Sequence, residues 1–393
     1  GAVVTQNIRN LLIEQTGDGI GVQMHQTWDP AGKFGPSVAD TVFLNSSPTT
    51  TTAVCLSVSG VWSVKIEGNF FSGKGAGGGP IDGIGGFGVL FELDEDVSSS
   101  SMNVIIAENT FVAVSKGIFV PNREELTGGR VEGLRIVGNN MVAGQFGIRT
   151  SQVLALSISS NQISDYYIGV ASIADFDVSI LGNTEITGAN SGIAIIAKDD
   201  GITERYSIVG NNVGSSDACI RLTNTISAGV LRSITITANT LRGMESSAKG
   251  LAAEGAYGVS GICFCANVLW SLAYGVWTGP SADITSVGNQ YYSVAQKTFG
   301  GLIQGVRSFS ESRTVILAGG GATETVNISV PAGYFDGAPD SAYLTSNDGL
   351  ITGYYNWDGS SGTNLQFIVR RADGATITSV ERRFSIAAFD SGY

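Results

Sequence analysis

Apolar and polar residues alternate along short runs of this chain, and each run ends a few residues before an asparagine. In the run before Asn69, Val64 and Ile66 are apolar and the residue between them, Lys65, is charged. Most of the later runs repeat this order. A period of two is typical of a β-strand with one buried face and one face in water.

The asparagines recur along most of the chain. The series comprises Asn69, Asn109, Asn139, Asn161, Asn183, Asn211, Asn239, Asn267 and Asn289. From Asn139 onward the intervals are 22, 22, 28, 28, 28 and 22 residues. Gly117, Gly147, Gly169 and Gly275 each lie eight residues after one of them and open a second apolar run. Such a period is typical of a solenoid in which each repeat holds at least two strands.

We therefore predict a right-handed, single-stranded parallel β-helix whose coils stack at about 4.8 Å. Asparagine tolerates the left-handed backbone of a turn, and stacked amides can hydrogen-bond from coil to coil. Extending the series back to Asn10 and Asn45 gives eleven coils. The alternative is a sandwich of antiparallel strands. Hairpin strands would not keep a constant spacing between the asparagine series and the glycine series.

The repeat stops after Gln290, and the pattern then changes. Longer alternating runs follow, separated by turn signals such as Asn347-Asp348-Gly349. We predict a parallel β-helix over residues 1–296, a linker over 297–312, and a C-terminal antiparallel β-sandwich over 313–393. A solenoid end needs a cap because its last coil exposes an unpaired edge.

Composition limits the partners of this chain. Its 34 acidic and 22 basic residues give a net charge of −12, which argues against nucleic acid or an anionic membrane as a partner. Gly is frequent, at 54 residues, as expected for a turn-rich all-β chain. No apolar run is long enough for a membrane span, and we find no signal peptide.

The cysteines and the single histidine predict neither a disulfide framework nor a metal site. Cys263 and Cys265 lie two apart, Cys55 and Cys219 are isolated, and the only histidine is His25. A zinc site needs better-spaced ligands. We expect free thiols in a protein made in a reducing compartment, without metal or cofactor.

A parallel β-helix with asparagine-paced coils and a C-terminal β-sandwich resembles the bacteriophage tailspike proteins. The resemblance spans nearly the whole chain but rests on architecture rather than on a catalytic motif. It implies a homotrimer of parallel β-helices that binds and cuts bacterial surface polysaccharide, either O-antigen or capsule. It also implies carboxylate-based active sites on the helix face or between subunits.

The resemblance further implies a place in the virion. Tailspikes are made in the host cytoplasm and stand on the virion tail. Most carry a separate N-terminal domain that binds other tail proteins. This chain begins inside the helix, so we expect that segment to be missing from it.

Stacked coils predict where a catalytic centre could lie, because residues at equal offsets from their asparagines become neighbours. The offsets six to eight residues before the asparagine are rich in charge: Glu132, Asp175, Asp177 and Glu204. Glycosidases use two carboxylates, about 5 Å apart for retention and about 6.5–9.5 Å for inversion. We assign Glu204 as the acid and Asp177 or Asp175 as nucleophile or base, with Glu132 two coils away.

The alternative is that these carboxylates are solvated turn residues. A second acidic group, comprising Glu92, Asp94, Glu95 and Asp96, is the next candidate for a catalytic centre.

Sugar binding needs flat apolar surfaces with polar edges. Trp277 and Tyr274, with Trp270 nearby, are candidates for stacking on sugar rings, and packing against another subunit is the alternative. Arg149 and Arg221 share a predicted outward column and can bind acidic sugars, because arginine pairs with carboxylates bidentately. Salt bridges between coils are the alternative for these two arginines.

We therefore predict a glycoside hydrolase-type depolymerase. A lyase on the same fold, cutting uronate-containing glycans by β-elimination, is one alternative. An adhesin that binds glycan without cutting it is another.

Overall fold

A computed structural model of the chain describes most of its residues. The described residues are 7–15, 19–25, 37–45, 53–73, 86–93, 100–122, 129–198, 202–225, 229–255, 257–279, 282–299, 302–304, 307–317, 321, 323–329, 341–346, 351–355, 360, 364–371 and 380–390. The chain forms two compact units, Gly1–Ile303 and Gln304–Tyr393.

The first unit is a parallel β-helix, as the alternation predicted. All the strand pairs given for it are parallel and join residues one coil apart, such as Ile136↔Ile158 and Ile158↔Ile180. Its strands form two long sheets, called sheet A and sheet B. Each coil contributes a strand to sheet A before its asparagine and to sheet B after it.

Sheet A contains β1 (Asn7–Arg9), β4 (Ser37–Ala39), β7 (Lys65–Glu67), β10 (Ser101–Met102), β11 (Ile105–Ala107), β14 (Val131–Glu132), β15 (Arg135–Val137), β17 (Leu154–Ser159), β19 (Phe176–Leu181), β21 (Ile202–Val209), β24 (Val230–Thr237), β27 (Val259–Cys265), β29 (Ala282–Val287) and β31 (Leu302–Gln304). Sheet B contains β2 (Leu12–Gln15), β3 (Ile20–His25), β5 (Val42–Asn45), β6 (Val54–Ser59), β8 (Phe70–Gly73), β9 (Phe87–Phe91), β12 (Thr110–Val112), β13 (Lys116–Phe119), β16 (Asn140–Ser151), β18 (Gln162–Ile173), β20 (Glu185–Ile196), β22 (Asn212–Ser215), β23 (Ala218–Asn224), β25 (Thr240–Gly243), β26 (Lys249–Gly255), β28 (Val268–Thr278) and β30 (Gln290–Phe299).

A ladder of asparagine side chains joins the coils between the two sheets. From Asn69 to Asn267, each Nδ2 donates to Oδ1 of the next asparagine at 2.7–3.0 Å, and the ladder ends at Asn289. The same Nδ2 also donates to a carbonyl of the preceding coil, as Asn109 does to Ile66. All but Asn289 are buried, so the ladder satisfies amides that water does not reach.

Two expectations about the ladder were wrong. Asn10 and Asn45 do not belong to it, because the register places Thr41 at the ladder position and Leu11 one coil before it. The backbone N–H of Thr41 donates to Asn69 Oδ1, but the Thr41 side chain has no amide to continue the ladder. The left-handed residue is also not the asparagine but the residue before it, such as Gly138 at φ 65° or Ser160 at φ 56°.

The interior is filled by side chains stacked at the coil spacing. Phe43, Phe71 and Phe111 stack with ring centroids 4.8 and 4.7 Å apart and lie within 9° of parallel. The predicted glycine column has a steric reason. A Cβ on Gly117 would lie 2.5 Å from the carbonyl oxygen of Gly147.

The second unit is an antiparallel β fold. Its strands are β32 (Arg307–Leu317), β33 (Thr323–Ser329), β34 (Ser341–Ser346), β35 (Ile351–Tyr355), β36 (Asn364–Arg371) and β37 (Val380–Asp390). They pair in one six-stranded sheet in the order β32-β37-β34-β35-β36-β33. The edge strands β32 and β33 are consecutive in the chain, and Phe367 on β36 is buried. The end of β30, all of β31 and the first part of β32 lie within the predicted linker.

The ladder makes a prediction about stability. Asn139→Ala removes the acceptor of two Asn109 hydrogen bonds and should lower the free energy of unfolding by about 2–4 kcal/mol. The neighbouring Asn140 is exposed, so Asn140→Ala should change it by about 0.5 kcal/mol or less. Equal losses in urea unfolding for both variants would contradict a stabilising role for the ladder.

Candidate functional site

The predicted carboxylate column lies on sheet A. The register aligns Glu132, Leu154, Phe176 and Glu204 on consecutive coils. Asp177 lies one residue along, opposite Arg205, at a left-handed backbone position with φ 56°. Asp177 and Glu204 are therefore on adjacent coils but are not directly opposite each other.

Each of these two carboxylates pairs with its own arginine instead of with the other carboxylate. Asp177 accepts two hydrogen bonds from Arg205, at 2.7 and 2.9 Å. Glu204 accepts one from Arg232 Nε at 2.5 Å. Arg205 also lies over the ring of Phe176. The sequence pattern missed Arg232, whose offset places it directly opposite Glu204 on the next coil.

Asp175 was wrongly predicted to be a catalytic residue, because it points into the interior and is fully buried. Its carboxylate accepts hydrogen bonds from Thr150 Oγ1, Ser172 Oγ and the backbone N–H of Val153. Tyr206, also buried, bonds to Ser172 and to the Asp175 carbonyl. Asp175 is thus hydrogen-bonded to other inward-facing polar groups, and its carboxylate is not exposed to a polysaccharide on the surface.

Burial raises the pKa of Asp175 to about 6, although hydrogen bonds from Ser172, Thr150 and the backbone oppose that rise. Glu132, by contrast, is exposed. Of the second acidic group, Glu92 accepts a hydrogen bond from Gln23 at 3.1 Å. Asp94, Glu95 and Asp96 lie outside the described residues.

The predicted sugar-binding residues lie on the outer face of sheet B. The register aligns Arg149 and Arg221 in one column, which we call the arginine column. The two coils between these arginines each contribute an alanine to the column. In chain order it comprises Phe119, Arg149, Ala171, Ala194, Arg221, Ala252 and Trp277. The three alanines are buried, and the column runs about 24 Å from Arg149 to Trp277 at the usual strand spacing.

Arg221 is the centre of a charged cluster. Its Nη1 bonds Glu254 at 2.8 Å, its Nη2 bonds Asp217, and its Nε bonds Ser191 Oγ at 3.0 Å. A second cation, Lys249, also pairs with Asp217, with its Nζ 2.9 Å from Asp217 Oδ1. The salt-bridge alternative therefore holds for Arg221. Sequence reasoning missed Asp217, Lys249 and Glu254, which share no single offset from the asparagines.

The cluster holds one carboxylate firmly in its ionised form. Partial burial alone would raise the pKa of Asp217, but the hydrogen bond from Lys249 and the charges of Arg221 and Lys249 lower it. Trp277 lies beside the cluster, with its ring centre 5.2 Å from Lys249 Nζ. Tyr274 is opposite Lys249 on the next coil. Carboxylates, cations and an indole ring therefore meet on one partly exposed surface.

The third predicted aromatic residue, Trp270, has a different setting. It stacks on Tyr292 with ring centroids 4.3 Å apart and an interplanar angle of 16°. Both rings are about 43% exposed. A sugar crossing this stack would meet ring edges more than faces, because the rings cover each other.

Among the described residues no group of side chains could hold a metal ion, and no helix could span a membrane. The four cysteines are free thiols, and Cys263 and Cys265 lie with their sulfur atoms 3.0 Å apart.

Comparison with known proteins finds similarity in solved structures. Neither a protein-family profile nor a curated protein sequence matches the chain. The tailspike protein of Pseudomonas phage LKA1 is 12% identical, with a TM-score of 0.45 over 99% of this chain and 67% of that one. The Streptococcus pneumoniae surface adhesin PfbA is 13% identical, with a TM-score of 0.46 over 73% and 82%.

A polygalacturonase from Erwinia carotovora is 10% identical, with a TM-score of 0.44 over 76% of this chain and 97% of that one. Several further phage tailspikes also match. Tailspikes thus occur among the structures to which this chain is similar, as the resemblance predicted.

The buried carboxyl group makes stability depend on pH. With a folded pKa of about 6 and an ordinary value of 3.8, Asp175 keeps its proton to higher pH in the folded chain than in the unfolded chain. Its stabilising effect is complete below about pH 4 and is lost as pH rises through about 6, by about 3 kcal/mol.

Asp175→Asn imitates the protonated acid at every pH. The wild type should therefore lose stability relative to this variant between about pH 4 and 7, as measured by urea unfolding at each pH. A wild-type minus variant difference that stays constant across this range would contradict the buried setting of Asp175.

Proposed function

We propose that this chain is a tailspike-type depolymerase that binds a bacterial surface polysaccharide along the arginine column and hydrolyses it. The observation that carries the proposal is the cluster in which Arg221 holds Asp217 and Glu254 beside Trp277. A long, regular face with charges and an aromatic ring suits an extended chain of sugars. The tailspike resemblance supports the same class of substrate.

The chemistry follows from how each carboxylate is held. Glycosidases use two carboxylates about 5–9.5 Å apart, and we assign that pair to Asp217 and Glu254, which share the guanidinium of Arg221. Asp217 has two cationic partners and stays ionised, which suits a nucleophile or a base that activates water. Glu254 contacts one cation, Arg221, which also contacts Asp217. We assign the Glu254 carboxyl group to protonate the leaving oxygen.

The reaction breaks one glycosidic C–O bond and adds water across it. Trp277 and Tyr274 would stack on or border the sugar rings, and we propose a homotrimer, as in the tailspikes. The sheet A carboxylates Asp177 and Glu204 remain the rival catalytic pair, and Glu132 lies in the same column as Glu204.

The test is to incubate the protein with surface polysaccharides from a panel of bacteria and follow chain length and product absorbance. We expect shorter chains without an ultraviolet-absorbing double bond. Glu254→Gln and Asp217→Asn should each lower the cleavage rate by about 100-fold or more, because each removes a group that acts in the transition state.

Two further variants make the result specific. Glu185→Gln, a matched change at a sheet B carboxylate that accepts a hydrogen bond from Gln162, should retain activity. Glu204→Gln tests the rival pair: loss of cleavage in that variant alone would move the catalytic centre to sheet A. An unsaturated product would show a lyase, and binding without any shortening would show an adhesin. Thermal melting confirms that each variant is folded.

A further inference from the structure

Two cations lie close together at one end of the arginine column. Arg149 belongs to the column itself, and Lys116 lies on the preceding coil of sheet B, opposite Phe146 and Phe87 in the register. Both side chains are partly buried. Neither is part of the Arg221 cluster.

Aromatic rings rather than acids surround these two cations. Lys116 Nζ lies 4.3 Å from the ring centre of Phe87 and 5.1 Å from that of Phe119. Arg149 Cζ lies 4.6 Å from the ring centre of Phe119 and 5.7 Å from that of Phe146. The rings stabilise the charges by cation–π attraction, which leaves their hydrogen-bond donors available.

No described carboxylate pairs with either cation. Within the described part of the chain, the Arg149 side chain donates a hydrogen bond to Asn122 Oδ1 at 3.3 Å. By contrast, Arg205, Arg221 and Arg232 on the same helix each bind Asp or Glu. Partly buried charges are normally compensated, but among the described residues nothing acidic compensates this pair.

The two cations also oppose each other. Burial lowers the pKa of Lys116, and the charge of Arg149 lowers it further. Burial likewise lowers the pKa of Arg149. An anion placed between them would relieve this repulsion and would accept hydrogen bonds from both.

We propose that Lys116 and Arg149 bind the carboxylate of an acidic sugar unit, with Phe87, Phe119 and Phe146 bordering its ring. This inference rests on the proposed polysaccharide-binding function and names its substrate class as uronate-containing or otherwise carboxylated glycan. The carboxylate fits because a planar guanidinium binds it bidentately, while an ammonium adds a point charge. The phenyl groups offer apolar surface to the sugar's C–H faces.

The test uses sodium glucuronate as the probe and thermal unfolding of the whole chain as the readout. A ligand that binds the folded chain raises its melting temperature with concentration, which yields Kd. Glucuronate should raise it more than glucose with sodium chloride at the same ionic strength. Lys116→Met and Arg149→Met should each weaken Kd about tenfold or more, since a charge-assisted bond is lost.

Control variants separate this site from general charge. Arg135→Met removes an exposed arginine on sheet A and should leave the glucuronate response unchanged. Arg149→Lys keeps the charge and should retain part of the response. The double variant Glu124→Gln/Glu125→Gln changes two acidic residues outside the described ones. We expect the wild type to bind glucuronate without this change.

Three results would overturn the proposal. They are a glucuronate response that survives both Met variants, an equal response to sodium sulfate, and a response that appears only after Glu124 and Glu125 are changed. The assay needs no cleavage. A chain that cuts no polysaccharide but binds glucuronate here would therefore refute the proposed activity and leave this site standing.

Discussion

Hydrogen bonds between stacked asparagine amides hold the coils in register from Asn69 to Asn289. Each amide donates to the next coil and to a carbonyl of the preceding one, and each Oδ1 accepts a backbone N–H as well. A coil that slipped by one residue would leave several buried polar groups without partners and would turn its apolar face to water. Every column on the outer faces depends on this register.

The outer faces use that register in two ways. On sheet A, Asp177 and Glu204 each meet an arginine from the next coil, which gives one exposed and one partly exposed ion pair, both of small net energy. On sheet B, Arg221 binds two carboxylates, while Lys116 and Arg149 lie against aromatic rings and pair with no carboxylate among the described residues. Sheet B therefore combines carboxylates, cations and an indole ring on one surface.

The interior shows the same geometry with a different outcome. Asp175 has an acidic side chain at an inward position, where its coil-to-coil neighbours Val153 and Thr203 are also buried. Hydroxyl groups of Thr150 and Ser172 supply the hydrogen bonds that water would otherwise give. The offset from the asparagine predicted where this residue lies along the coil. Neighbouring positions of a strand face opposite sides of the sheet, so a change of one residue in the offset moves a side chain from solvent into the core.

The amino-acid sequence by itself determined the parallel β-helix, its asparagine ladder from Asn69 and the change to an antiparallel unit, because hydrophobic period and turn residues act locally and repeat. It also aligned Arg149 with Arg221. It did not exclude Asn10 and Asn45 from the ladder, since their spacing resembles that of true members. Only the tertiary structure decided that Asp175 is buried, that Arg221 is already paired and that Lys116 and Arg149 meet no described acid. Those outcomes depend on which side chains from different coils reach one another, and spacing along the chain does not specify that.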